Sequence, residues 1–260
     1  LLKDEGLKLD IISTLQQLHF FQQLGEKFRH CAAAVVRKRM AEQAKTIEEV
    51  AKEWDAHAEG WISGEMGASV MEFNVLAEEV IRSKVSDLAG KDVLEFGAGH
   101  GVLGLALAPN CSSVTLIDVA PKMVAQAKEK IAAKGLEKTV KAYCCDIVQE
   151  CPLEARSLDL IVSGSVLTFT PDLPQTLEKL VSLTKPGGFH VHFVFKGEGT
   201  AAAPRRRGRS TERGYEDGMS PSQLEDELDA AGLKVMEVGD ISPPTMEGSM
   251  TWLWAVAMKK

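Results

Sequence analysis

Val93-Leu94-Glu95-Phe96-Gly97-Ala98-Gly99-His100-Gly101 is the stretch on which the fold turns. A short apolar run leads straight into three glycines at alternate positions. Glycine adopts left-handed backbone conformations without steric cost and lets a ligand approach the main chain, so Gly97 and Gly99 predict a sharp turn with an open face. A helix is expected from about Val102, and its first turn offers free amide donors and the positive end of a dipole. Strand, glycine turn and helix in that order predict a βα unit of a parallel sheet, with a crevice at the carboxyl ends of the strands.

The chain downstream extends the pattern. Further strands are predicted at Val114 to Ile117, Val140 to Cys144, Leu158 to Val162 and Phe189 to Phe195. Between them lie helical periods. One opens at Pro121, sets Met123, Val124, Ala127 and Ile131 on one face and stops at Gly135. Another spans Thr176 to Leu183 and ends before Lys185-Pro186-Gly187-Gly188. Ser220-Pro221-Ser222-Gln223 is a capping signature for a further helix, closed by Gly232. Leu233 to Val238 and Met250 to Met258 complete the strands, and the last is apolar on both faces, as a buried strand is.

A glycine turn serves more than one kind of nucleotide site. Gly99-x-Gly101-x-x-Gly104 has the spacing of a dinucleotide fingerprint, which keeps a nicotinamide-dependent oxidoreductase in view, and Asp118 stands where a ribose-binding acid belongs in either case. Glu95, two residues before Gly97, separates the readings. An acid beside the turn suits a ligand with an ammonium group and a sulfonium centre, which a dinucleotide does not bring.

With these residues in place, the sequence resembles the class I S-adenosylmethionine-dependent methyltransferases over roughly residues 50 to 260. Glu95 to Gly101 resembles their first motif, Leu116-Ile117-Asp118-Val119-Ala120-Pro121-Lys122-Met123 the second, and Cys145-Asp146-Ile147 the third. Leu183 to Gly188 resembles the turn before their fifth strand. The resemblance implies a Rossmann-like, doubly wound α/β fold of seven mostly parallel strands, with the last, antiparallel strand inserted beside the fifth. It implies S-adenosyl-L-methionine as cofactor, with the acid at Asp118 on the ribose hydroxyls, Val119 on adenine and the acid at Asp146 at the adenine amino group. The implied cofactor residues are Glu95, Gly97, Ala98, Gly99, Gly101, Asp118, Val119, Met123, Asp146, Ile147 and Ser163. It further implies methyl transfer to an oxygen, nitrogen or carbon of a small organic acceptor, with protein acceptors behind it. The competing expectation is a methyltransferase-like subunit with an assembly role. Taken singly, Glu95 also reads as a solvated strand-end acid, Asp118 as a helix cap and Asp146 as a turn acid.

The segment after the fourth strand, Ser163-Gly164-Ser165-Val166-Leu167, names no catalytic base. It lacks the Asn/Asp-Pro-Pro-Tyr pattern of amino-methylating enzymes and the Pro-Cys nucleophile of cytosine-C5 enzymes. Transfer from an activated methyl group can proceed largely through alignment and exclusion of water, so that silence fits the chemistry. His57, Tyr143 and Tyr215 are the candidate bases, each also readable as a packing or loop residue. Trp54, Asp55, His57 and Trp61 suggest an aromatic helix over the cofactor, or ordinary packing.

The flanks complete the picture. Residues 1–50 lack strand patterning, while Ile11, Leu15, Leu18, Phe21, Leu24 and Phe28 recur at helical spacing, which predicts a helical extension before a domain over 51–260. Its Gln-rich reverse face suits water, so a protein partner through residues 1–50 is favoured over a lipid surface. Residues 197–219 read as a loop on the substrate side, rich in Gly, Ala and Arg. Across all 260 residues the net charge is -7, which disfavours a generic nucleic-acid binder. No apolar run approaches the ~20 residues of a membrane span. The five cysteines form no CxxC pair and the histidines are scattered, which argues for a reducing, intracellular setting and against a metal site. The absence of a leading methionine predicts a processed or truncated chain.

Overall fold

The apolar runs become strands where alternation and glycine turns placed them. In the computed structural model, β1 (Asp92–Phe96), β2 (Ser113–Asp118), β3 (Val140–Cys144), β4 (Leu158–Gly164), β5 (Thr184–Phe195), β6 (Leu233–Ile241) and β7 (Trp252–Lys259) form one seven-stranded sheet in the order β3-β2-β1-β4-β5-β7-β6. The strands from β1 to β5 pair in parallel, and β7 pairs antiparallel with both β5 and β6. The structure describes residues 45–61, 63–85, 87–197, 218–244 and 251–260. The apolar stripe from Ile11 to Phe28, most of the Arg-rich loop and Tyr215 lie outside the described residues.

Helices cover both faces of the sheet, as a mostly parallel sheet requires. On one face α1 (Ile47–His57) and α2 (Gly64–Lys84) precede the sheet, and α3 (Val102–Leu107) and α4 (Pro121–Ala133) follow β1 and β2. Phe73, Ala77 and Ile81 of α2 pack with Leu103 and Leu107 against Val93, Val114, Val162 and Phe193. On the other face lie α5 (Leu173–Leu183) and α6 (Pro221–Ala230). Their Leu177, Leu180, Leu224 and Leu228 meet Leu94, Ile161 and Leu253. Trp252, Trp254 and Val256 join the first cluster while Leu253, Ala255 and Ala257 join the second, so β7 is buried on both sides.

Two boundaries differ from the sequence reading. The extension was expected to end near residue 50, yet α1 begins at Ile47 and runs through that position. Thr46 caps it: its Oγ1 accepts from Glu49 N while Glu49 Oε2 accepts from Thr46 N, at 3.3 and 2.9 Å. The turn at Lys185-Pro186-Gly187-Gly188 is an interruption within β5, because Leu158 pairs with Thr184 but Leu160 pairs with Phe189. A bulge of this size absorbs the proline, which has no amide proton to give the ladder.

Candidate functional site

Strand order reverses between β1 and β4, so the connections from these strands leave on opposite faces and a crevice stays open between their ends. The crevice there has a volume of about 450 Å³. Gly97 and Gly99 line it after β1, Asp118 and Val119 at the end of β2, and Cys145, Asp146 and Ile147 beyond β3. Gly164, Ser165 and Val166 line it after β4, Phe169 and Asp172 further on, and Ile47, Glu48, Val50 and Trp54 from α1.

The half beside β1, β2 and β3 is built from backbone. Gly97 holds φ +66°, and a Cβ there would lie 2.3 Å from Val166 Cγ2, so any larger residue both strains the turn and collides. Above Gly99 the nearest atom to such a Cβ is Met123 Sδ at 3.9 Å, which leaves the main chain open to a ligand. Gly99 N donates to Asp118 Oδ2 at 2.7 Å and Ala120 N donates to Oδ1 at 2.9 Å. Asp118 thereby ties the glycine turn to the end of β2, and its carboxylate keeps acceptor capacity for a ligand hydroxyl. Burial raises the Asp118 carboxyl pKa, and the amide donors of Ala120 and Gly99 oppose that rise. Asp146 repeats the device with Val148 N at 2.9 Å, and Cys145 N donates to Asp118 O at 3.1 Å. Met123 and Ile147 are buried apolar walls and Val119 is half-buried.

The structure places four of the expected residues differently. Glu95, expected beside the ligand's ammonium group, is 5% exposed and is not among the described lining residues. Its Oε2 accepts from Gly104 N of α3 at 2.8 Å, and burial pushes the carboxyl up to about 8. It fastens β1 to α3 beneath the turn. Ala98 donates its N–H to Ile117 O at 3.0 Å, and Gly101 opens α3 as its N-cap; neither lines the cavity. Ser163 is fully buried, with Oγ 2.7 Å from His192 Nδ1. From there His192 Nε2 lies 3.1 Å from His190 Nδ1, and Thr184 Oγ1 lies 2.8 Å from His190 Nε2 and donates to Leu180 O at 2.9 Å. A carbonyl only accepts, so the chain is satisfied by neutral imidazoles donating in one direction, from Ser163 to Leu180.

The aromatic helix is fastened at two points. His100 Nε2 donates to Ala58 O at 2.8 Å, just beyond α1, and Lys122 N donates to Asp55 Oδ1 at 2.8 Å. Burial lowers the His100 pKa, so the imidazole is neutral where it makes this bond. Trp54 meets Trp61 and Phe169 edge-on, with centroids 5.1 and 5.4 Å apart. His57 and Tyr143 are not among the described lining residues: His57 Nδ1 bonds Glu53 O at 2.7 Å, and Tyr143 is exposed on edge strand β3. Burial and its neighbours push the Cys145 thiol up to about 11, so it is protonated at neutral pH and is no nucleophile there.

Sequence reasoning set the segment Ser163 to Leu167 beside the cofactor's methionine end and the substrate, by resemblance, but chose Ser163 as its site residue and missed Ser165, Phe169 and Asp172. Ser165, Phe169 and Asp172 carry no motif, and the φ of +60° at Ser165 has no signature in a non-glycine residue. One signal was present: Asp172 followed by Pro174 and Gln175 marks a helix start, and Asp172 Oδ1 accepts from Gln175 N at 3.0 Å. It would have opened α5 at Leu173 rather than at Thr176.

A family model for the methyltransferase domain matches residues 93–188. A ubiquinone biosynthesis O-methyltransferase of Bordetella avium is 32% identical over 173 residues, covering 62% of this chain and 69% of that one. The enzyme of the same name from Coxiella burnetii is 28% identical over 149 residues, covering 57% of this chain; the chain spans 62% of that relative's length. A solved S-adenosylmethionine-dependent methyltransferase from Aquifex aeolicus superposes with a TM-score of 0.55 at 24% identity, over 71% of this chain and 89% of that one.

Proposed function

The chain belongs to the class I S-adenosylmethionine-dependent methyltransferases, and we propose that it transfers the methyl group of S-adenosylmethionine to an oxygen of a small, uncharged organic acceptor. One observation carries this reading: Gly97, Gly99, Asp118 and Asp146 converge on one cavity at the point where strand order reverses. The residues present fit the cofactor. The open face over Gly99 suits close approach of a ligand, and Asp118 has lone pairs left for ribose hydroxyls. Val119 and Ile147 offer apolar surface for adenine, with Asp146 beside them for its amino group. The carboxylates of Glu48, Asp118, Asp146 and Asp172 set a negative potential in the cavity, which favours a cationic ligand and opposes an anionic acceptor.

When bound, the cofactor supplies a methyl group already activated on a sulfonium. What remains for the chain is alignment and exclusion of water. Trp54, Trp61 and Phe169 cover the cavity with apolar surface, and His100 and Asp55 hold that cover in place. An oxygen acceptor is supported by the name of the Bordetella relative, an O-methyltransferase. The free thiols Cys111, Cys144, Cys145 and Cys151 support a reducing compartment. Among the described residues no helix is long and apolar enough to cross a membrane.

Calorimetric titration with S-adenosylhomocysteine tests the reading. Binding is expected, and Asp118→Ala should weaken it by about 10- to 100-fold, the scale of hydrogen bonds to a charged group. No binding at millimolar ligand, or binding unchanged in Asp118→Ala, would overturn it.

A further inference from the structure

We propose that the Ser165 hydroxyl binds the acceptor's oxygen and that Trp252 aims it; the proposal rests on the methyltransferase reading above. Ser165 follows β4, on the opposite side of the sheet's switch point from the glycine turn, and lines the cavity. Its φ of +60° makes it, with Arg156, one of two non-glycine residues in the left-handed region among those described. Such a conformation persists only where the surroundings over-determine it, and it recurs at functional sites.

The surroundings here do so from two sides. Ser165 N donates to Phe193 O of β5 at 2.8 Å, and Trp252 Nε1 donates to Ser165 Oγ at 2.7 Å. Trp252 is itself fixed between Phe73 and Phe195, at centroid distances of 4.9 and 5.2 Å. The next residue, Val166, abuts Gly97, which sets the spacing between this segment and the glycine turn.

The proton inventory then gives the hydroxyl its task. A serine oxygen has two lone pairs and one hydrogen. The indole N–H takes one lone pair, and among the described residues the hydroxyl hydrogen has no acceptor. One donor and one lone pair are therefore left beside the cavity, in an orientation that Trp252 holds. An acceptor oxygen takes this hydrogen bond on one of its two lone pairs and keeps the other free. The rings of Trp54 and Phe169 on the cavity wall suit an apolar or aromatic body on that acceptor, and Glu48 and Asp172 disfavour an anionic one. Ser163, the serine singled out in the sequence, is closed to this role because its Oγ is committed to His192.

The test uses catechol as a neutral hydroxyl-bearing probe and toluene as its hydroxyl-free control, titrated by ligand-observed NMR into the full chain saturated with S-adenosylhomocysteine. Ser165→Ala should weaken catechol by about three- to tenfold and leave toluene and S-adenosylhomocysteine unchanged. Ser165→Gly, which relieves the backbone, should match it. Trp252→Phe, which keeps the stacked ring and removes the N–H, should give a smaller loss for catechol only. Equal catechol binding in wild type and Ser165→Ala, parallel losses of catechol and toluene, or no catechol binding by the loaded protein would each overturn the proposal. Failure of wild type to bind S-adenosylhomocysteine would instead overturn the methyltransferase reading beneath it.

Discussion

The two halves of the cavity are made differently. Beside β1, β2 and β3 the wall is glycine main chain and two carboxylates that cap turns, with Val119, Met123 and Ile147 as apolar surface. Beyond β4 and along α1 it is side chain: a serine in a left-handed conformation and the edge-on rings of Phe169, Trp54 and Trp61. The first kind of wall needs particular residue types at particular spacings, since only glycine tolerates the turn and only a short acid reaches the neighbouring amides. The second kind needs shape and apolar surface, which many residues supply. On the proposed function, the difference puts specificity for the acceptor in the half whose construction places the weaker constraint on residue type.

The sharpest way to break this division is at its joint. Gly97 belongs to the backbone half and touches Val166 of the other. Gly97→Ala should destabilise the fold by about 2–4 kcal/mol, combining left-handed strain with overpacking. Val166→Ala in the same chain removes the two methyl contacts but keeps its own Cβ 2.5 Å from the new one, so it should recover only part of the overpacking and leave the strain. Urea denaturation of the single and double variants measures both; equal stability of Gly97→Ala and wild type would mean that the halves are not pressed together as described.

A second test asks whether Glu95 is a structural member of the backbone half. Burial raises its carboxyl from an ordinary 4.5 to about 8, so the folded state holds a proton that the unfolded chain releases. Stability from this group is full below about pH 4.5 and is lost as pH rises toward 8. His192 has the opposite sign: burial lowers it from 6.5 to about 3, so its contribution is present above pH 6.5 and is lost as pH falls toward 3. Glu95→Gln keeps an acceptor for Gly104 N and removes the first dependence only. Relative to wild type the variant should gain about 1 kcal/mol between pH 7 and 8, and its acid limb should be unchanged. Denaturation midpoints that run parallel at all pH values would show Glu95 to be ionised in the fold.

The same division explains what was legible in the sequence. Strand order from β1 to β5, the glycine turn, Asp118 and Asp146 could be read because backbone geometry restricts residue choice there. Glu95 was legible as important but not in its role, because an acid at a strand end can face the cavity or the neighbouring helix, and only packing against Gly104 decides. Ser163 and Ser165 are indistinguishable by type; alternation along β4 sends the first to His192, and the break after Gly164 turns the second to the cavity. The helix start at Leu173 was missed because the apolar period was followed from its middle and the Asp172 cap was not weighed.

The smallest expected effect concerns α1, which covers the cavity from before the sheet. Its fastening is internal to Lys45–Lys260: Thr46 caps it, His100 holds the backbone just past its end, and Asp55 receives Lys122 N. A chain starting at residue 45 retains all three contacts and the lining residues Ile47, Glu48 and Val50. Its affinity for S-adenosylhomocysteine should therefore equal that of the full chain. A chain starting at residue 51 removes the first turn and the cap, worth about 1 kcal/mol of helix stability, and leaves Trp54 on a frayed end. Its affinity should fall by less than that of Asp118→Ala, because the ribose and adenine contacts remain. Equal affinities for the two truncated chains would mean that α1 covers the cavity without contributing to it. Loss of binding already at the residue-45 start, in a protein that still unfolds cooperatively, would move part of the site into residues 1–44.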